Sequence, residues 1–156
     1  MSEINTSEFM AAFDRWVETT EISMSDAIAS TAMQLYTGIV KRTPVDTGRL
    51  KGNWQISINS VAGGEKNRTD DTPLGRYSQS NASAEESKVN GFNASKHGYI
   101  AIHNNLPYAQ TAEFGEWGDG PKTVGGYSKQ APSGMARVTL SEFERALNQA
   151  ARDNQL

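Results

Sequence analysis

Cysteine is absent from the 156-residue chain, which removes disulfides, thiolate nucleophiles and Cys-ligated zinc or iron–sulfur centres together. Histidine is scarce: His97 and His103 are the whole supply, and on an extended segment they lie about 20 Å apart at roughly 3.3 Å per residue. One metal ion cannot be held between them. No apolar run approaches the roughly 18 residues of a membrane-spanning helix. Residues 1–7 also lack a basic stretch followed by an apolar core, so the expectation is a soluble cytosolic product without an export signal. Positive charge is not in excess either. With 15 Lys and Arg against 18 Asp and Glu, the net charge is -3, and any contact with DNA must be local. What is present, 37% hydrophobic and 21% charged residues, suits one domain of about this length with a real core.

Charge is uneven along the chain. Through Val40, six acids (Glu3, Glu8, Asp14, Glu18, Glu21, Asp26) face Arg15 alone, whereas Lys41, Arg42, Arg49 and Lys51 then gather around Asp46. Phe9, Phe13 and Trp16, with Val17 beside them, give residues 7–19 one apolar helical face that should dock. From Met24, the stripes Met24-Ile28-Leu35-Ile39 and Ala29-Met33-Tyr36-Val40 make a wide face for more than one neighbour, and Pro44 stops that helix at Thr43. Trp54, Ile56 and Ile58 alternate with Gln55, Ser57 and Asn59, the period of a strand with one buried face. Residues 61–96 are rich in Gly, Ser, Asn and charge and read as an extended loop or arm, ordered on a partner and dispensable for folding. Tyr99–Ile102 is a short strand, and Tyr108–Phe114 is a further strand or an irregular return. The glycines between 115 and 126 form a second loop. The stripe Ala136-Leu140-Phe143-Leu147-Ala150 marks a last helix over residues 133–151, with Met135 and Val138 off the stripe.

Enzymatic motifs are few. Asp46-Thr47-Gly48 matches the carboxylate loop of aspartic peptidases, in which two like carboxylates share a proton. That loop follows a buried apolar strand, but here Lys41, Arg42, Thr43 and Pro44 precede it. The residues read instead as a turn in which Asp46 caps backbone N–H groups, Gly48 supplies positive φ and Arg49 sits beside the carboxylate. No nucleophile elbow accompanies His103. Lys41, Arg42, Arg49 and Lys51 could meet phosphates, although Lys41 and Arg42 equally suit the negative pole at a helix end.

The run Thr43-Pro44-Val45-Asp46-Thr47-Gly48-Arg49-Leu50, with Trp54 on the following strand, resembles the head–tail joining or tail-completion proteins of long-tailed bacteriophages. Tyr108-Ala109, Glu113-Phe114-Gly115 and then Pro132, Gly134 and Met135 resemble the same family in order and spacing. The resemblance implies an α+β fold, with a small antiparallel sheet flanked by long N-terminal and C-terminal helices and a long partner-binding loop at 61–96, in one domain over 1–156. It implies a non-enzymatic virion protein without cofactor or metal, assembled in the host cytoplasm into a ring, commonly a homohexamer, at the head–tail junction. Its expected partners are its own copies, a head-side connector or stopper, and the tail terminator or tail tube. Genome DNA would pass through without specific binding, past acids of the first helix or the arm. A tail-terminator ring is the alternative within that class. Under this reading Asp46, Gly48 and Arg49 fix the turn, while Trp54 and Phe114 anchor the core beside Gly115. Glu113 pairs with Arg49 or Lys51, and Met135 and Val138 are spare for a subunit interface.

Overall fold

The computed structural model describes residues 6–153, with side chains from 7 to 145. The fold is α+β. A helix, α1 (Thr6–Arg42), leads through a one-turn helix, α2 (Arg49–Gly52), into strand β1 (Trp54–Ile58). Helix α3 (Gln79–Val89), strand β2 (Ile100–Asn104) and short helix α4 (Ala109–Phe114) follow. A two-residue hairpin, β3 (Thr123–Val124) and β4 (Tyr127–Ser128), then precedes the last helix, α5 (Ala136–Asp153). Strands β1 and β2 pair antiparallel with Ile56 opposite Ile102. The core gathers Tyr36, Ile39 and Val40 of α1, Leu50, Trp54 and Ile56, Ala82 and Val89 of α3, and Met135.

Helix α1 is one rod of about 55 Å at 1.5 Å per residue, where the sequence suggested two segments. It stops where Pro44 demands: Thr43 is fully buried, its hydroxyl donates to the Ile39 carbonyl at 2.8 Å, and the Trp54 indole N–H donates to that hydroxyl at 2.8 Å. The strand is thereby fastened to the helix end.

Residues 61–96 do not form a free arm. Gly48 and Gly52 let the chain at 68–71 lie directly on α2: a Cβ at Gly48 (φ 81°) would stand 2.6 Å from the Asp70 carbonyl oxygen, and one at Gly52 would stand 2.7 Å from Thr69. The Arg68 guanidinium donates to the Gly52 and Trp54 carbonyls at 2.6 and 2.7 Å. It also pairs at 2.9 Å with Glu85, a fully buried carboxylate that accepts the Ile56 N–H and the Lys88 ammonium. Two charges enter the core because each is met by the other and by backbone dipoles. Farther along, residues 62–64 cover the outer face of β1, where Gln55 and Asn105 donate to the Gly64 carbonyl. Gln55 and Ser57 are therefore buried, and β1 has two covered faces rather than one.

Helix α5 docks by an unexpected side. Met135 is 0% exposed and Thr139 is buried, with Thr139 packed so closely on α1 that a Cβ at Gly38 would meet its methyl at 2.8 Å. Arg42 holds the same edge, donating to Thr139 and pairing with Glu142. Leu140, on the apolar stripe, is 55% exposed. Met135 is thus a core residue, not a spare one for an interface, and Val138 is half-buried against the groove beside Lys41. The side chains of Leu147 and Ala150, the other end of that stripe, lie outside the described residues.

Candidate assembly surfaces

Pro44–Leu50, from the run that carried the family resemblance, forms one wall of an open groove of about 920 Å³. The opposite wall is the loop from Trp117 to Gln130, with Tyr108 between them. Gln130 closes one end of the groove by accepting the Val45 N–H and donating to the Val45 carbonyl, both at 2.9 Å. Gly48 has the positive φ that the turn needs, and its carbonyl accepts the Gly52 and Asp70 N–H groups at 2.9 Å each. Asp46 does not cap this turn. Its carboxylate is 83% exposed and reaches across the groove to Lys122 at 3.5 Å, while Arg49 turns away to pair with Glu65.

Around Glu113 the structure is a clamp. The carboxylate accepts the N–H groups of Met135, Ala136 and Arg137 at 2.8, 2.9 and 2.9 Å, plus the Arg137 side chain at 3.1 Å. These are orphan donors at the start of α5, a position that favours negative charge. Burial pushes the Glu113 carboxyl up, but the donors from Arg137, Ala136 and Met135 outweigh it and hold the group below the usual glutamate range. Gly134 (φ 82°) brings the chain in close, since a Cβ there would stand 2.6 Å from the Glu113 carbonyl oxygen. The partner of Glu113 is accordingly Arg137, not Arg49 or Lys51. Lys51 is buried with its ammonium donating to the Thr72 and Pro73 carbonyls at 2.9 and 3.1 Å. Phe114 is no core anchor: it is 49% exposed, with the Arg137 guanidinium 4.5 Å from its ring centroid. Gly115 ends α4 with a left-handed φ of 69° against the Tyr127 ring.

The four basic residues around the turn do not make a phosphate patch. Arg42 and Arg49 are engaged by carboxylates, Lys51 is buried, and Lys41 lies 5.4 Å over the Tyr77 ring. The two histidines are likewise separate: His97 Nδ1 accepts the Asn93 N–H, and His103 faces β1. Sequence reasoning missed a Ser57–His103–Asn105 chain, in which the His103 nitrogens stand 2.8 Å from the Ser57 hydroxyl and 3.0 Å from the Asn105 side-chain oxygen. The cross-strand register and the spacing of two residues could have signalled it. It does not make a nucleophile, because Ser57 already accepts the Ala62 N–H and residues 62–64 roof it, tied down by Asn105. Among the described residues, no group of three His, Asp or Glu is placed to hold a metal ion, and no helix is long and apolar enough to cross a membrane.

Among the described residues, the amino-terminal half of α1 bears the largest run of exposed apolar side chains. Phe9, Met10, Phe13, Trp16, Ile22 and Met24 are all exposed, Trp16 by 62%; the Phe9 and Phe13 rings stack, and the Trp16 ring lies tilted against Phe13. The expectation that this face docks on its own body is overturned by helical phase. At about 100° per residue, the mean direction of Phe9, Phe13, Trp16 and Met24 is rotated roughly 120° or more from that of Ala32, Tyr36, Ile39 and Val40. The sector that continues the core-facing side carries Asp14, Glu18 and Glu21 instead. The Ser25 hydroxyl accepts the Ala94 N–H at 2.9 Å, and Glu18, Glu21 and Ile22 just before it still border residues 92–96.

The family model described as "Bacteriophage HK97-gp10, putative tail-component" matches residues 7–115. No curated protein and no solved structure matches the chain.

Proposed function

Because this chain belongs to the HK97-gp10-like family of bacteriophage tail components, we propose that it is a virion protein that assembles as a ring, commonly of six copies, where the tail meets the head. It completes the tail and joins it to the capsid connector or stopper on one side and to the tail terminator or tail tube on the other. DNA passes through the ring without being specifically held. The reading concerns surfaces, not chemistry. The observation that carries it is the apolar face of α1 through Phe9, Phe13 and Trp16, exposed among the described residues: large exposed apolar faces mark interaction sites.

The test is genetic and visual. Removing the gene from the phage that carries it, with the protein supplied in trans as the control, should yield filled heads and separate tails in the electron microscope. Tails of abnormal length would instead assign the terminator role, and infectious particles of normal form would refute a tail-joining role altogether.

A further inference from the structure

We infer that residues 7–24 of α1 are a docking arm whose apolar face seats in the basic groove of a second copy of this chain, between Lys41, Leu74, Pro132 and Val138. The inference rests on the ring reading above and supplies its contact. Three observations carry it. First, the phase change along α1 aims Phe9, Phe13, Trp16 and Met24 away from the core-facing side, and the described residues of its own body leave that face exposed. Second, charge selects the occupant. Residues 7–24 carry Glu8, Asp14, Glu18 and Glu21 against Arg15 alone, so the arm as a whole is acidic although these acids lie off its apolar face. Two arms packed face to face would therefore set like charges against each other, as would an anionic lipid surface.

Third, the chain carries a complementary site. The groove lined by Lys41, Leu74, Gly75, Ala131, Pro132 and Val138 measures about 570 Å³, within the range of clefts that take drug-sized ligands, so it can admit Trp16 with Phe13 beside it. No acid lines it. Leu74 is exposed in its wall, and Arg76 and Lys129, adjacent in sequence to lining residues, are exposed and form no ion pair among the described residues. The larger groove beside Thr43–Leu50 carries Asp46 and Asp119 on its walls and suits an acidic helix less well. An arm on one copy and a groove on the next make a heterologous contact, which closes into a ring when the rotation allows.

The experiment uses the full chain. In analytical ultracentrifugation the parent should sediment as a closed oligomer, and Phe13→Asp with Trp16→Asp should sediment as a monomer with an unchanged circular dichroism spectrum, both side chains being exposed. Asp14→Lys with Glu21→Lys should weaken assembly at least tenfold, and so should Lys41→Glu with Arg76→Glu. Combining the two pairs in one chain should recover most of the loss, since each arm then meets a groove of opposite sign. Charge-reversed variants that assemble like the parent, or a combined variant weaker than either pair, would overturn the inference. It would also be overturned by a parent that stays monomeric while Phe13→Asp with Trp16→Asp still abolishes tail joining, a result that would keep the tail role and give the arm to another tail protein.

Discussion

Replacing Glu113 by alanine tests most directly how the carboxy-terminal half is held. The carboxylate satisfies three backbone N–H groups, of which Met135 belongs to a fully buried residue. Loss of a helix cap alone costs about 0.5–2 kcal/mol, and each hydrogen bond to a charged group contributes about 1.5–3 kcal/mol when counted singly. These contributions overlap, because water can reach the Ala136 and Arg137 N–H groups once the carboxylate is gone. A total of about 3 kcal/mol is expected. For a chain of this size that corresponds to a fall in Tm of roughly 10 °C, measured at pH 7 by circular dichroism.

The acid limb of stability gives a second readout with a definite sign. A carboxyl held below its ordinary range in the native state contributes stability above the unfolded value, near 4.3 for glutamate, and loses it as pH falls through the native value. The parent should therefore weaken between about pH 5 and the native pKa in part through this residue, and Glu113→Gln should show a shallower acid limb. A Glu113→Ala variant that melts within about 2 °C of the parent, less than 1 kcal/mol at this size, would refute the clamp. An acid limb of unchanged slope in Glu113→Gln would refute the ionised carboxylate as its working form.

Asp46→Ala should change the free energy of unfolding in urea by no more than about 0.5 kcal/mol, as for a surface substitution away from caps and core; a loss above 1 kcal/mol would restore the capping role expected from its turn position. Glu85→Ala leaves the Arg68 guanidinium without its carboxylate beneath the sheet and should cost about 3–5 kcal/mol, so a near-neutral urea midpoint would contradict the buried pair. Deleting residues 65–90 removes Arg68, Asp70, Ala82, Glu85 and Val89 from their packing and should leave no cooperative unfolding transition. A folded, soluble deletion product would return this segment to the status of a dispensable arm.

The features readable from sequence are those that depend on near neighbours along the chain. Pro44 ends α1 whatever the rest of the molecule does, and the alternation Trp54-Ile56-Ile58 places β1 without knowledge of its partner. Periodicity also found both apolar faces of α1. It reports direction relative to the helix, however, and only comparing the phases of the two halves shows that one of them points outward. Composition failed over 61–96 for an electrostatic reason: Arg68 and Glu85 look like solvated charges until each is seen to cancel the other's desolvation. In α3 the inward positions are Ala82, Glu85 and Val89, a stripe hidden by the charge at its centre. The last helix misled in the opposite sense. In its first turns Ala136 packs on the core while Leu140 of the same stripe turns outward, because the close approach at Gly38 admits Thr139 and the Glu113 clamp seizes the first N–H groups of α5. An apolar stripe therefore says that a surface will be covered, while caps and glycines decide whether its own chain does the covering. In this protein the face that the described residues leave exposed in this way is the one through Phe9, Phe13 and Trp16 on α1.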